Sequence, residues 1–243
     1  MSVTNRQREY LDAMGIQAWS LRHQEAMSVD LAAVAPAPVV ATAELELQAP
    51  VVAEPAGADV WQRLAYQVSQ CTACSLHQNR TQAVFGAGNQ QADWMIVGEV
   101  PGLDEDRQGE PFVGPTGQLL EAMLQAVGLQ RAQVFITNIL KCRPLNRDPR
   151  PEELQQCQGF LRHQIALVQP RVILALGASA ARALLDTPAS IGQLRGQHHV
   201  YSETAIPVVV SYHPAYLLRT PAEKRQSWQD LQLAQQIVSA TAV

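Results

Sequence analysis

WMIVGEVPGLDEDRQGEPFVGPTGQLL, residues 94–120, passes through three regimes in a row. Trp94-Met95-Ile96-Val97 is a short apolar run of the kind that forms a buried strand, and Gly98 ends it. The next stretch, up to Gly114, is too rich in Gly, Pro and acid for helix or sheet and predicts a loop. Thr116 then serves as an N-cap, with Leu119, Leu120, Met123, Leu124 and Val127 at helical spacing, which predicts a helix over 116–127. Strand, long loop, helix is the repeating unit of α/β sheets, whose ligands bind at the carboxyl edge of the strands.

The same alternation continues outward. Val134–Leu140, Val172–Leu176 and Val208–Ser211 are further apolar strands, and amphipathic helices are predicted near 60–69, 151–168, 179–185 and 221–238. Strands alternating with helices argue for a three-layer α/β sandwich with a mainly parallel four-stranded sheet covered on both faces. Each strand runs into polar or small residues at its carboxyl end. A parallel sheet brings those ends to one edge, so Glu99, Asn138 and His213 are expected around a common cleft.

The chain of 243 residues carries a net charge of −4, unevenly spread. Residues 1–60 hold three basic and eight acidic side chains; residues 61–243 hold fifteen and fourteen. The acid excess therefore belongs to the front. Within the rest, Lys141, Arg143, Arg147 and Arg150 lie close together with Asp148 opposing them, a local positive patch suited to a phosphate backbone. The most apolar early run, 31–43, is broken by Pro36 and Pro38 and is too short to cross a bilayer, so a cytoplasmic location is expected.

In that reducing setting the four cysteines are weighed as metal ligands or inert core residues rather than disulfides. Cys71 and Cys74 form a C-x-x-C, and Cys142 and Cys157 complete a possible four-thiolate site joining the start of the domain to its middle. The ligand count allows zinc or an iron–sulfur cluster.

With these motifs in order, residues 71–238 resemble the iron–sulfur uracil-DNA glycosylases, the family-four branch of that superfamily. The resemblance rests on Cys71-x-x-Cys74; Gly98-Glu99-Val100-Pro101-Gly102 with Glu105-Asp106; Pro111-Phe112-Val113-Gly114 with Gly117-Gln118-Leu119-Leu120; Thr137-Asn138 through Lys141-Cys142-Arg143-Pro144; Cys157; and His213-Pro214-Ala215-Tyr216-Leu217-Leu218-Arg219. It implies a [4Fe–4S] cluster on Cys71, Cys74, Cys142 and Cys157. It further implies hydrolysis of the glycosidic bond of uracil flipped out of DNA. In that scheme Phe112 stacks on the base, Asn138 reads its O4 and N3–H edge, and His213 donates to O2. Glu99 and Glu105 line the pocket. On the DNA side stand Lys141, Arg143 and Arg147, with Leu217 as wedge and Arg219 as phosphate ligand. Val100 departs from the family's usual Ala or Gly: it brings no proton acceptor and adds methyl groups where the base or water would sit. Gly-Pro-Thr-Gly at 114–117 also lacks the basic residue usual after the first Gly.

Residues 4–25 form an apolar island around Tyr10, Leu11, Met14, Ile16, Trp19 and Leu21, too short to bury those side chains alone. This reads as a partner-docking peptide over residues 1–28. Tyr10 to Arg22 resembles the N-terminal segment of the psi subunit of bacterial DNA polymerase III. That implies docking on clamp-loader subunits with Trp19 and Leu21 as anchors. Residues 29–58, rich in Ala, Val and Pro and without a basic side chain, read as a disordered linker to a glycosylase-like domain at 59–243. Two functions are expected on these grounds: a uracil-DNA glycosylase tethered to the replisome and monomeric in isolation, or a catalytically weak glycosylase-like adaptor acting as a psi-like subunit.

Overall fold

The computed structural model describes residues 59–145 and 147–240. The expected docking peptide (1–28, with Trp19 and Leu21) and the linker at 29–58 lie outside the described residues.

The described chain opens with α1 (Val60–Gln70), whose first turn is capped by Asp59: its carboxylate accepts the Gln62 N–H at 2.8 Å. Then come β1 (Ala87–Gly88), β2 (Trp94–Gly98), α2 (Leu103–Gln108), α3 (Gly114–Ala126) and β3 (Phe135–Asn138). The second half runs α4 (Pro151–Val168), β4 (Val172–Leu176), α5 (Ala178–Leu185), α6 (Ile191–Leu194), β5 (His198–Val200), β6 (Pro207–Ser211), α7 (Pro214–Arg219) and α8 (Lys224–Ala240). Among the described residues no helix is long and apolar enough to cross a membrane.

One sheet has the order β1-β3-β2-β4-β6-β5. The four strands expected from their apolar runs form its parallel centre, with Ile96 paired to Ile136 and Leu174, and Leu174 to Val209. Two short edge strands that the sequence did not announce, β1 and β5, pair antiparallel to β3 and β6. Period-two alternation splits the central strands between two cores. Met95, Val97, Ile173, Ala175, Val208 and Val210 pack with Leu161 and Ile165 of α4 and Ala181 and Leu184 of α5. Trp94, Ile96, Val172, Leu174 and Val209 pack with Leu120 and Leu124 of α3 and Leu231 and Ala234 of α8 on the other face. The result is the expected three-layer sandwich.

Two local expectations change. The loop after β2 contains α2: its first turn, Asp104, Glu105 and Asp106, places acid at the positive end of the helix dipole. Helix α3 begins at Gly114 rather than Thr116, with Pro115 in its first turn and Val113 as N-cap residue. Thr116 sits inside it and donates its hydroxyl to the Val113 carbonyl at 3.4 Å. A Pro in the first turn loses no helical hydrogen bond, so the helix can start ahead of the better capping side chain.

The chain reverses its build direction at β2: β3 is laid on one side of it and β4 on the other. That switch point puts the loops after Gly98 and Leu176 beside each other at the carboxyl edge of the sheet.

Candidate active site

A cavity of about 540 Å³ opens at this edge, lined by Glu99, Val100, Gly177, Tyr212, His213, Tyr216 and Arg219 among others. Glu99 follows β2 directly, and its Oε1 accepts the Ser179 hydroxyl at 2.6 Å from the first turn of α5. Its other oxygen and the imidazole of His213 face the same space: a methyl group built on Gly177 would lie 3.9 Å from Glu99 Oε2 and 3.8 Å from His213 Cδ2.

His213 is the N-cap residue of α7, and its Nδ1 accepts the Ala215 N–H at 3.1 Å. A ring nitrogen that accepts carries no proton, so the hydrogen of the neutral imidazole resides on Nε2. Burial, with the Arg219 charge adding to it, holds the imidazole pKa down to about 4. The side chain is therefore a neutral donor across the ordinary pH range.

Phe112 stacks on the His213 ring, centroids 5.4 Å apart and planes 29° from parallel. It holds φ at 53°, a left-handed conformation uncommon for a bulky residue and maintained only where the surroundings enforce it. The enforcing group is Arg131, whose guanidinium donates to the Pro111 carbonyl at 2.6 Å and the Phe112 carbonyl at 3.2 Å. Gly117 of α3 completes the clamp, because a Cβ there would collide with the Phe112 carbonyl. Gly98 plays the same part from below: a Cβ would strike both the Phe112 ring and Asn138 Oδ1. Asn138 and Phe112 thus meet over Gly98, both nearly fully buried.

Other expected site residues stand differently. Val100 lines the cavity and also packs on the apolar patch formed by Leu76, Leu140, Cys142 and Cys157. Glu105 turns its carboxylate back over Gly102, the N-cap of α2, away from the cavity wall. Lys141, expected on the DNA face, is 1 % exposed, and its ammonium donates to Thr137 Oγ1, the Asn138 carbonyl and Gln164 Oε1. Burial pushes its pKa down to about 7. Leu217, expected as a wedge, is 0 % exposed on the packed side of α7; Leu218 beside it is 44 % exposed. Arg147 gives its guanidinium to Glu153 in a two-pronged pair at 2.9 and 2.5 Å, which holds the Glu153 pKa down at about 2. Arg143 is half-buried on the loop after Cys142, and Arg219 is exposed at the cavity mouth. Tyr212 and Tyr216, which the sequence did not single out, form a tilted pair 5.0 Å apart in the cavity wall, and Arg195 lies over the Tyr212 ring at 5.0 Å.

The four cysteines are free thiols and line one pocket between α1 and α4. Among the described residues no three His, Cys, Asp or Glu side chains converge tightly enough to hold a single metal ion. The donor set nevertheless fits a larger thiolate-bound group. Hydrogen-bond donors already point at two of the sulfurs, Arg80 Nη1 to Cys142 at 3.0 Å and the Lys141 backbone N–H to Cys157 at 3.4 Å. Such donors are the usual outer shell of a metal thiolate. Burial pushes the Cys142 thiol up and that of Cys157 to about 11, so the thiols stay protonated unless a metal replaces the proton.

The family model for the uracil DNA glycosylase superfamily matches residues 85–232. The chain is 41 % identical over 162 residues to the type-4 uracil-DNA glycosylase of Archaeoglobus fulgidus, covering 64 % of this chain and 81 % of that protein. It is 45 % identical over 155 residues to the type-4 uracil-DNA glycosylase of Thermotoga maritima, covering 63 % and 80 %. With the type-4 enzyme of Pyrobaculum aerophilum it shares 40 % over 177 residues, 70 % of this chain and 90 % of the relative.

Proposed function

Because the chain belongs to the uracil-DNA glycosylase superfamily, in its type-4 branch, we propose that it hydrolyses the N-glycosidic bond of deoxyuridine flipped out of DNA, as a step of base-excision repair. The observation that carries this reading is a neutral imidazole donor and a carboxylate facing one cavity, with a buried carboxamide reaching the same Phe112 ring that stacks on the imidazole.

A base inside a duplex is out of reach, so it must leave the stack. In the pocket Phe112 stacks on the uracil. Asn138 accepts from N3–H through Oδ1 and donates to O4 through its amide nitrogen, a pattern that mismatches the amino group of cytosine. As the bond between C1′ and N1 breaks, its electron pair stays on the base and charge grows on O2. His213 donates there from Nε2, in place before the charge develops. Glu99, fixed by Ser179, faces the sugar carbon, which becomes electron-poor, and orients the water that adds to it. That water supplies the hydroxyl at C1′ and the proton that ends on the released uracil.

Cys71, Cys74, Cys142 and Cys157 would hold a [4Fe–4S] cluster, whose contribution when bound is a tie between the 71–74 segment, the Cys142 loop and α4. Arg143 and Arg219 serve phosphates, and the exposed Leu218 takes the wedge role expected of Leu217. Trp19 and Leu21 anchor residues 4–25 to clamp-loader subunits, with residues 29–58 as tether. Working in the cytoplasm at newly copied DNA, the domain gains effective concentration there.

Val100 favours a second reading, a catalytically weak adaptor. Methyl groups that overfill a tight pocket cost about 1–3 kcal/mol, but part of this side chain already lies against the cysteine patch rather than in the cavity. Single-turnover release of uracil from a labelled oligonucleotide, wild type beside Val100→Ala, decides between them. Release by wild type is expected; release by Val100→Ala alone would make the natural protein an adaptor.

A further inference from the structure

Lys141 is the largest of the fully buried side chains. Its three ammonium hydrogens meet three acceptors: Thr137 Oγ1 at 2.6 Å, Gln164 Oε1 at 2.7 Å and the Asn138 carbonyl at 2.8 Å. None of them is a carboxylate. An interior cation solvated only by neutral oxygens is costly, so its value lies in what it holds in place.

Thr137 and Asn138 are the last two residues of β3, and Lys141 folds back over them from the following turn. Gln164 belongs to α4 and is itself fixed, donating through Nε2 to the Phe85 carbonyl at 2.8 Å. Thr137 donates to that same carbonyl at 2.9 Å. The ammonium therefore closes a ring of polar contacts that joins the carboxyl end of β3, helix α4 and the segment before β1. On its other side, the Lys141 backbone N–H donates to Cys157 and the next residue is Cys142. The Asn138 side chain leaves this clamped backbone to meet the Phe112 ring over Gly98.

We propose that Lys141 is a positioning residue for base recognition: by tying the Asn138 carbonyl to α4 it fixes the origin of the carboxamide that reads the uracil edge, and it links that origin to the cysteine site. This rests on the role of Asn138 given above. A carboxamide reads a base only when its oxygen and nitrogen are held in register, and a displacement of about 1 Å at a site costs up to about a hundredfold in rate.

The test is a double-mutant cycle on the full chain with its metal content intact: wild type, Lys141→Met, Asn138→Ala and the double variant, each assayed for single-turnover uracil release, DNA affinity and visible absorbance. Lys141→Met is expected to slow release by about tenfold to a hundredfold with DNA affinity unchanged, and to add less than about threefold once Asn138 is Ala. A merely structural role would multiply independently with Asn138→Ala, and such additivity overturns the proposal, as does an unchanged rate in Lys141→Met. If Asn138→Ala alone leaves release unaffected, the reading of Asn138 fails first. Should Lys141→Met not fold, Lys141→Met with Gln164→Leu removes both the ammonium and the acceptor it would orphan, and enters the same cycle.

Discussion

Replacing His213 with Ala, and separately acidifying the wild-type protein, tests one arrangement in two ways. The imidazole accepts the Ala215 N–H on Nδ1 and offers the Nε2 hydrogen to the cavity. A second proton would charge a buried ring beside Arg219 and set an Nδ1–H against the Ala215 N–H; burial first, and the Arg219 charge after it, lower the pKa to about 4. Loss of one preorganised donor to a developing oxyanion costs about 10²–10³ in rate, or about 2.7–4 kcal/mol. His213→Ala should slow single-turnover uracil release by that factor and leave DNA affinity, which phosphate contacts set, nearly unchanged. On acidification the wild-type rate should not fall near the ordinary imidazole value of about 6.5 but only as pH approaches 4.

The same ring leaves a mark on stability, with a definite sign. Its folded pKa lies below its unfolded one, so on acidification the unfolded chain takes the proton first. Stability is full above about pH 6.5 and is lost as pH falls from there through 4. At about 1.36 kcal/mol per pH unit, the interval down to about 4 amounts to about 3 kcal/mol. Urea denaturation of wild type and His213→Ala at pH 7 and pH 4.5 should show most of that loss in the first protein and not in the second. A fall in the release rate on acidification through pH 6.5, an undiminished acid loss in His213→Ala, or equal losses of excision and DNA binding would each refute the tautomer and charge state argued for His213.

Cys142→Ser should bleach the visible absorbance of anaerobically purified protein and lower its iron content; a colourless wild type containing zinc would overturn the cluster. Asp230 is fully buried and accepts Arg195 Nη2 on both oxygens at 2.9 Å, so Asp230→Asn leaves an interior guanidinium without its counter-charge and should cost about 3–5 kcal/mol in denaturant unfolding. A loss under about 1 kcal/mol would mean that water already relieves this pair. Trp19→Ala should abolish co-purification with clamp-loader subunits while leaving the melting of the folded unit unchanged, and retained binding would count against the docking role.

How far the sequence carried each residue depends on the distance over which its signal is written. The central strands are legible because a strand covered on both faces is a continuous apolar run, as in Val172–Leu176, where every residue is buried. Strand β1 is only two residues, Ala87 and Gly88, and β5 is His198–Val200 with two exposed positions; neither has an apolar face to read. Helix α2 hides for the opposite reason, being nearly all polar, although its acidic first turn and the Gly109 cap at φ 75° are the ordinary charge and C-cap pattern of a short helix.

The site divides in the same way. Glu99, Asn138 and His213 follow from chain geometry alone, because parallel strands deliver their carboxyl ends to one edge. What those ends do there is decided by contacts between residues far apart in the chain. Arg131 clamps Phe112 from nineteen residues away, and Lys141 finds Gln164 at a separation of twenty-three. A lysine in a run of basic residues reads as surface because lysine is so seldom buried. Only the oxygens of Thr137, Asn138 and Gln164, gathered by the fold, turn it inward. Adjacent leucines at 217 and 218 carry no pattern to tell them apart on a helix of six residues; packing buries the first and exposes the second. The positive patch narrows on the same ground. Of its four cations, Lys141 is solvated internally and Arg147 is matched to Glu153, so the charge offered to DNA is smaller than a count of basic residues implies. The salt dependence of binding, which measures phosphates neutralised, should accordingly be shallower than four contacts from this loop would give.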